Sequence, residues 1–309
     1  MKDIFLLDGG VGQEIYKRAG KPSTPLWSTQ IMIDNPDIVK EVHKDFIKAG
    51  STIITTNSYT CTPTRLKRDG NIDLFEKLQI QALDIAIQAR NELGYSSKEI
   101  SIAGCLPPLV ASYVANDNSF SELKNEYEQI VNIQDPHVDL YLIETIFSIK
   151  EATAALEATQ NKNKPVWLSF TLSDDNLNFL RSGESIEDAI KALEDFFLDP
   201  LDALLFNCSF PEIIDQGMIS LKDLSIPYGG FANGFTSINA LKPGGVVNKL
   251  EARFDLDEKK YASYVMQWID KGATIVGGCC EVGPSYIKYI CKELKSKGYG
   301  IVCVKKKSN

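Results

Sequence analysis

The chain has only two histidines, His43 and His137, so a metal site built here must lean on other donors. It also lacks any long apolar run. The stretch Ile4 to Leu7 is far too short for a signal sequence or a membrane span. Positive charge is in deficit, with 33 Lys and Arg against 41 Asp and Glu and a formal net charge of −8. That balance argues against nucleic acid or an anionic membrane as partner, and the short Lys305-Lys306-Lys307 run reads as a solvated terminus. The seven cysteines are odd in number and no secretion signal accompanies them, which speaks against a disulfide framework. A cytoplasmic protein acting on small molecules is expected, as a monomer or small homo-oligomer.

What is present is an ordinary globular composition, 44% apolar and 24% charged over 309 residues, without a linker or low-complexity segment. Eight apolar runs read as strands: Ile4 to Leu7, Ser51 to Ser58, Ile100 to Gly104, Asp139 to Thr145, Val166 to Thr171, Ala203 to Cys208, Tyr228 to Asn233, and the run from Ala273. Helical patterns alternate with them. Asn35-Pro36 marks one start, with the helix running to Gly50, and Ser119 with Glu122 and Ser148 with Glu151 have capping-box spacing. Further helices are expected at Ile72 to Leu93, Ser185 to Phe197, from Pro211, at Asp257 to Lys271 and at Pro284 to Lys297. The segment between the first strand and Asn35, and the stretch around Pro243-Gly244-Gly245, read as irregular. Strand count and length favour one (β/α)8 TIM barrel, a single α/β domain over residues 1–309, over a doubly wound open sheet.

In such a barrel the active site lies at the C-terminal ends of the strands. Those ends carry Asp8, Thr56 and Asn57, Glu144, Thr171, Asn207 and Cys208, Asn233, then Cys279 and Cys280. Neighbouring side chains on a strand face opposite ways, so Cys279 and Cys280 can serve one ion only if the backbone turns there. Gly277 and Gly278 are expected to supply that freedom. Two packed thiols or a vicinal disulfide are the alternatives. Cys208 is the natural third thiolate, because its strand lies one away from the last. Three thiolates would bind Zn²⁺ and leave a fourth position open. Such an electron-rich ion is a poor activator of water but suits a thiol substrate, whose free pKa is about 8.5. Alkyl transfer to a thiol is the reaction class this suggests. Asp8 and Glu144 read either as turn chemistry or as a grip on a substrate ammonium group. Cys61, Cys105, Cys291 and Cys303 read as core or surface thiols, although Cys105 also ends a strand. Both histidines read as packing or surface residues.

Asp8-Gly9-Gly10, Thr55-Thr56-Asn57 with Ser58-Tyr59, Ile143-Glu144-Thr145, Asn207-Cys208 and Gly277-Gly278-Cys279-Cys280 together resemble the homocysteine S-methyltransferases, from Leu7 to about Ile290. The resemblance implies a barrel in which Cys208, Cys279 and Cys280 hold zinc, with the homocysteine sulfur as fourth ligand. It implies that Asp8 and Glu144 hold the amino group and that Gly9 and Thr56, with Asn233 on the rim, line the amino-acid site. A methyl group would move from a small sulfonium donor, S-methylmethionine or S-adenosylmethionine, to give methionine. Betaine ranks behind these, because betaine enzymes commonly have tyrosine where this chain has Thr145. Relatives that use methylcobalamin carry further domains, for which this chain has no length. Another thiol or selenol, such as selenocysteine, is the alternative acceptor, and a non-catalytic redox-sensing barrel with an oxidisable Cys279–Cys280 pair is the alternative from another class. Two departures from the family pattern stand out. Glu281 replaces an arginine common after the cysteine pair, and Gly104-Cys-Leu-Pro-Pro108 replaces a glycine-rich turn.

Overall fold

The computed structural model describes residues 2–196, 201–238, 241 and 250–305. Among these residues nine strands form one curled sheet: β1 (Asp3–Leu6), β2 (Ile53–Thr55), β3 (Ser101–Leu106), β4 (Leu140–Ile146), β5 (Val166–Phe170), β6 (Ala203–Asn207), β7 (Tyr228–Phe231), β8 (Ile275–Val276) and β9 (Gly300–Val302). The order is β2-β3-β4-β5-β6-β7-β8-β1-β9, with every pair parallel. A parallel bridge between Leu7 and Ile53, with the Thr52 N–H on Leu6 O at 2.9 Å, closes β1 onto β2. The result is the expected (β/α)8 barrel.

The ninth strand was not expected. It pairs with Asp3 to Phe5 at the start of β1, and Thr52 Oγ1 donates to Val302 O at 2.7 Å. Val304 then passes beneath the barrel, its N–H on Ser101 Oγ at 3.1 Å, near Phe5 and Trp167, whose rings meet edge-on at 5.4 Å. This end is packed shut by side chains, so the opposite rim holds the site.

Among the described residues eleven α-helices surround the strands: α1 (Val11–Ala19), α2 (Trp27–Asp34), α3 (Pro36–Ala49), α4 (Pro63–Asp69), α5 (Phe75–Glu92), α6 (Phe120–Gln134), α7 (Ile149–Thr159), α8 (Ile186–Phe196), α9 (Pro211–Leu221), α10 (Glu258–Asp270) and α11 (Pro284–Ser296). Ser119 forms the full capping box with Glu122. Ser148 caps α7, but Glu151 turns inward to accept from the Leu109 N–H and the Tyr127 hydroxyl. Asn35 makes no side-chain cap, and Pro36 opens α3 without one. The segment read as irregular after strand 1 contains α1 and α2. They are nine and eight residues long, too short for a 3.6-residue period to stand out. The expected helix end at Phe197 and the Pro243-Gly244-Gly245 stretch lie outside the described residues.

The larger apolar cluster fills the space between strands and helices. A smaller one occupies the barrel itself and runs up to Cys208 and Cys279 at the rim. The metal-capable side chains thus sit on a packed apolar column, which is a rigid base for them.

Candidate metal centre and substrate cavity

Strands β6, β7 and β8 lie side by side, and the exit of β7 ties the other two together. The Cys208 N–H donates to Phe231 O at 3.3 Å and the Cys279 N–H to Ala232 O at 2.9 Å. The sulfurs of Cys208, Cys279 and Cys280 lie within 4.8 Å of one another. Cys208 and Cys279 are in disulfide contact, with their Cα atoms 5.8 Å apart, and Cys280 is a free thiol. The vicinal Cys279–Cys280 pair considered above is therefore corrected. Cys279 turns into the barrel toward Cys208, both nearly fully buried, whereas Cys280 keeps more exposure.

The reason for the two glycines also changes. Neither Gly277 nor Gly278 has positive φ. A Cβ on Gly277 would fall 2.5 Å from Leu7 Cβ, and one on Gly278 would overlap Val282. They permit close packing against β1 and the following loop; the turn itself comes at Glu281, with φ 67°. Cys208 (φ 51°) and Thr145 (φ 60°) are left-handed as well. Thr145 near the end of β4, Cys208 just after β6 and Glu281 in the loop after β8 are thus strained non-glycine positions, at a cost of order 1–3 kcal/mol apiece that concentrates at functional sites.

Asp8 is buried, its carboxylate accepting from the Thr55 N–H at 2.7 Å and the Thr55 hydroxyl at 3.2 Å. Burial pushes its pKa well above the ordinary carboxylate value, against the lowering pull of Thr55, and neighbouring Glu144 pushes the same way. Burial likewise raises Glu144 to about 7, countered by a 3.1 Å hydrogen bond from the Cys105 thiol. What remains exposed of Glu144 faces the cavity. A register shift between Ile143 and Ile146 in β4 aims it there. Two carboxyl groups share one pocket, so an entering cation favours the ionised form of both.

One cavity of about 140 Å³ joins these groups. Asp8, Glu144 and the three cysteines line it, and Trp27, Tyr59, Tyr113 and Phe235 form aromatic walls. Gly9 and Thr56 also line it, but Thr56 Oγ1 is committed to the Cys105 N–H at 3.1 Å. Gly9 packs beneath Val282 O, where any Cβ would overlap. Asn233 is fully buried and absent from the lining. Its N–H goes to Ser209 O, and its Oδ1 accepts from the Phe235 N–H at 3.0 Å. Thr171 is also buried off the cavity, with its hydroxyl near Cys208 O. Glu281 is held by Gln13 Nε2 at 2.7 Å and Lys17 Nζ at 2.6 Å, both in α1. The charge reversal after the cysteine pair is answered locally. Gly104 to Leu106 continue β3 rather than forming a turn.

Three soft sulfur donors in one cluster match a transition metal of the zinc type better than a hard cation. Burial, with Glu281 and Glu144 adding to it, pushes the Cys280 thiol to about 12, so it stays protonated unless a cation is bound nearby.

A model of the homocysteine S-methyltransferase family matches residues 5–294. The chain belongs to that family. Among members of the homocysteine S-methyltransferase family, homocysteine S-methyltransferase 2 of Arabidopsis thaliana is 27% identical, with 94% of this chain and 93% of that one covered. Selenocysteine methyltransferase of Astragalus bisulcatus is 29% identical over 94% and 92%. The metallated form of the homocysteine methyltransferase MmuM from Escherichia coli has a similar fold, with a TM-score of 0.78, 24% identity and 94% and 96% coverage.

Sequence reasoning missed three features of this homocysteine S-methyltransferase family member's cavity. Cys105 donates to Glu144, and its place at a strand end was the available signal. Trp27, left-handed at φ 48°, comes from a segment read as irregular, where no pattern marked it. Asn207, at 0% exposure, bonds Thr145 and Ser169 rather than any ligand, a role that only tertiary contacts reveal. No helix among the described residues is long and apolar enough to cross a membrane.

Proposed function

We propose that residues 1–309 form one homocysteine-binding (β/α)8 domain that moves a methyl group from S-methylmethionine or S-adenosylmethionine to homocysteine, giving methionine. The observation that carries this reading is the gathering of three thiols within 4.8 Å in a cavity that also holds Asp8 and Glu144. Cys208, Cys279 and Cys280 would hold Zn²⁺, which when bound supplies the pull that lets a substrate thiol lose its proton near neutral pH.

Asp8 and Glu144 take the ammonium group of homocysteine, and its charge offsets the cost of ionising two carboxyls in one pocket. Asp8 is oriented by Thr55 and Glu144 by Cys105. Trp27, Tyr59, Tyr113 and Phe235 wall the cavity beside the thiols and narrow the space left to solvent. In the transfer a carbon–sulfur bond forms to homocysteine as the donor's carbon–sulfur bond breaks, and the electron pair returns to the donor sulfur. The cationic donor leaves as a neutral thioether, so no general acid is needed. Asn233 is kept as a rim residue that shapes the loop through Phe235.

Betaine remains the weaker donor. Thr145 is fully buried and bonded to Asn207 Nδ2 at 2.8 Å, so the position offers no side chain to a donor. Selenocysteine is the second acceptor reading, favoured by the similarity to the Astragalus bisulcatus selenocysteine methyltransferase. We place the protein in the cytoplasm, where free thiols persist.

The test is methionine formation from homocysteine by reduced, zinc-loaded protein supplied in turn with S-methylmethionine, S-adenosylmethionine and betaine, with selenocysteine as competing acceptor. Turnover with a sulfonium donor, abolished by Cys279→Ser, is expected. Full turnover by that variant, or no transfer from any donor, would reject the reading.

A further inference from the structure

Arg65 is the charged group on the cavity wall that methyl transfer to homocysteine leaves unused. It stands in the first turn of α4, lines the same cavity as the cysteines, and is only 6% exposed. Its Nη2 donates to the neutral Pro108 O at 2.8 Å, and its Nε has no partner. Among the described residues no carboxylate lies within ion-pair distance of it. The acids that feel its charge are committed elsewhere. Glu151 accepts from the Leu109 N–H and the Tyr127 hydroxyl, and Glu126 accepts from the Thr64 N–H at 2.9 Å and its hydroxyl at 2.6 Å. The second arginine on the wall, Arg68, makes the contrast. It is held by both oxygens of Asp69, at 2.9 and 2.6 Å.

A guanidinium stays charged in a protein, and burying a charge without a counter-ion is costly. A group of opposite charge entering the cavity would remove that cost. The guanidinium is also held in place, 5.2 Å above the Tyr59 ring, while the Tyr59 hydroxyl is tied to Ser112 Oγ at 2.7 Å. Arg65 and Tyr59 line the same cavity as Asp8 and Glu144, so the guanidinium and the carboxyls share one space. The cavity therefore offers carboxyls and thiols to one ligand and an unpaired guanidinium to an anion.

We propose that Arg65 binds the carboxylate of the methyl donor through charge-assisted hydrogen bonds from its guanidinium. This rests on the methyl-transfer reading for the identity of the ligand. In that reading homocysteine is fixed through sulfur at the cysteines and nitrogen at Asp8 and Glu144, and Arg65 is assigned to the donor's carboxylate rather than to homocysteine's. A rise in homocysteine KM in Arg65→Met, with donor KM unmoved, would overturn that assignment. The donor class is then an onium compound that also carries a carboxylate, and a bare onium ion is a poor substrate.

The experiment compares S-methylmethionine with its carboxamide in zinc-loaded protein, by initial rates and by calorimetry. In the wild type the amide raises donor KM about 10- to 100-fold, the loss expected when a buried charged donor is left unpaired. The KM for homocysteine does not move. Arg65→Met raises the KM of the acid to that of the amide, and Arg65→Lys keeps part of the difference. Equal KM for acid and amide in the wild type overturns the inference, as does undiminished discrimination in Arg65→Met. Calorimetry separates the two readings. If no methyl moves but acid binds more tightly than amide through Arg65, the methyl-transfer reading fails and the anion site stands. If the acid does not bind at all, the anion site fails.

Discussion

Asn207 holds Thr145 by two hydrogen bonds, its Oδ1 accepting from the Thr145 N–H at 2.8 Å and its Nδ2 donating to the Thr145 hydroxyl at 2.8 Å. The two residues are 62 positions apart and both have 0% exposure. Thr145 is left-handed, and the bulge around it turns Glu144 into the cavity. Asn207 also precedes Cys208, so one amide links the carboxylate end of the site to the sulfur end.

Removing that amide has a definite consequence. Asn207→Ala leaves a buried N–H and two buried hydroxyls, Thr145 and Ser169, without this partner. A stability loss of about 1–3 kcal/mol is expected in urea unfolding. Homocysteine affinity should fall with it, because the Glu144 turn loses its clamp. A variant as stable as the wild type, with unchanged affinity, would contradict the positioning role.

The Glu144 carboxyl titrates far from its unfolded value, and the sign of the effect on stability follows. Its pKa rises from 4.5 to about 7 through burial. Both states are neutral well below 4.5, so the group is then without effect. As pH rises toward 7 the unfolded chain ionises first and stability declines, levelling off above about 7. Glu144→Gln should therefore have a higher Tm than wild type at pH 8 and an equal one at pH 4. Methionine binding should strengthen in the wild type as pH passes 7, and the rise should be smaller in the variant, where Asp8 alone is left to titrate. Parallel pH profiles for the two proteins would remove Glu144 from the ammonium role.

Gly277 is held to its identity by space. A methyl group there would lie 2.5 Å from Leu7 Cβ and 2.9 Å from Asp8 O, forcing β8 away from the end of β1. Gly277→Ala should cost about 1–3 kcal/mol and weaken metal retention, because Cys279 follows two residues on. Gly298→Ala serves as the comparison, since its φ is +79° but nothing lies within 4 Å of its added methyl. Loss of stability in both, with metal loss in Gly277→Ala alone, is the expected pattern, read by denaturation and zinc analysis.

The alternation of strand and helix was legible because the strands are short, apolar and bounded by polar residues, and the same pattern located the rim. The Cys208, Cys279 and Cys280 grouping followed from strand order. Left-handed backbone at Thr145, Cys208 and Glu281 had no signal, since none of these residue types announces positive φ. The strand-end rule named Asn207 and Asn233 equally with Glu144. Only packing distinguishes them: both asparagines are fully buried and off the cavity lining, Asn207 bonding Thr145 and Ser169 and Asn233 accepting from the Phe235 N–H through Oδ1. Helices α1 and α2 and strand β9 were missed because they are too short for periodicity, and their placement depends on the barrel they pack against. Glu281 stood out only as a departure from the family pattern, a reversal of charge after the cysteine pair. Its partners Gln13 and Lys17 lie in one of the helices that went unseen.

Zinc K-edge X-ray absorption on the reduced protein, before and after adding homocysteine, tests the central claim most directly. The account predicts one zinc per chain bound through Cys208, Cys279 and Cys280, with one further sulfur neighbour appearing when homocysteine is present. A reduced protein that takes up no zinc, or a bound ion whose sulfur count is unchanged by homocysteine, would contradict it.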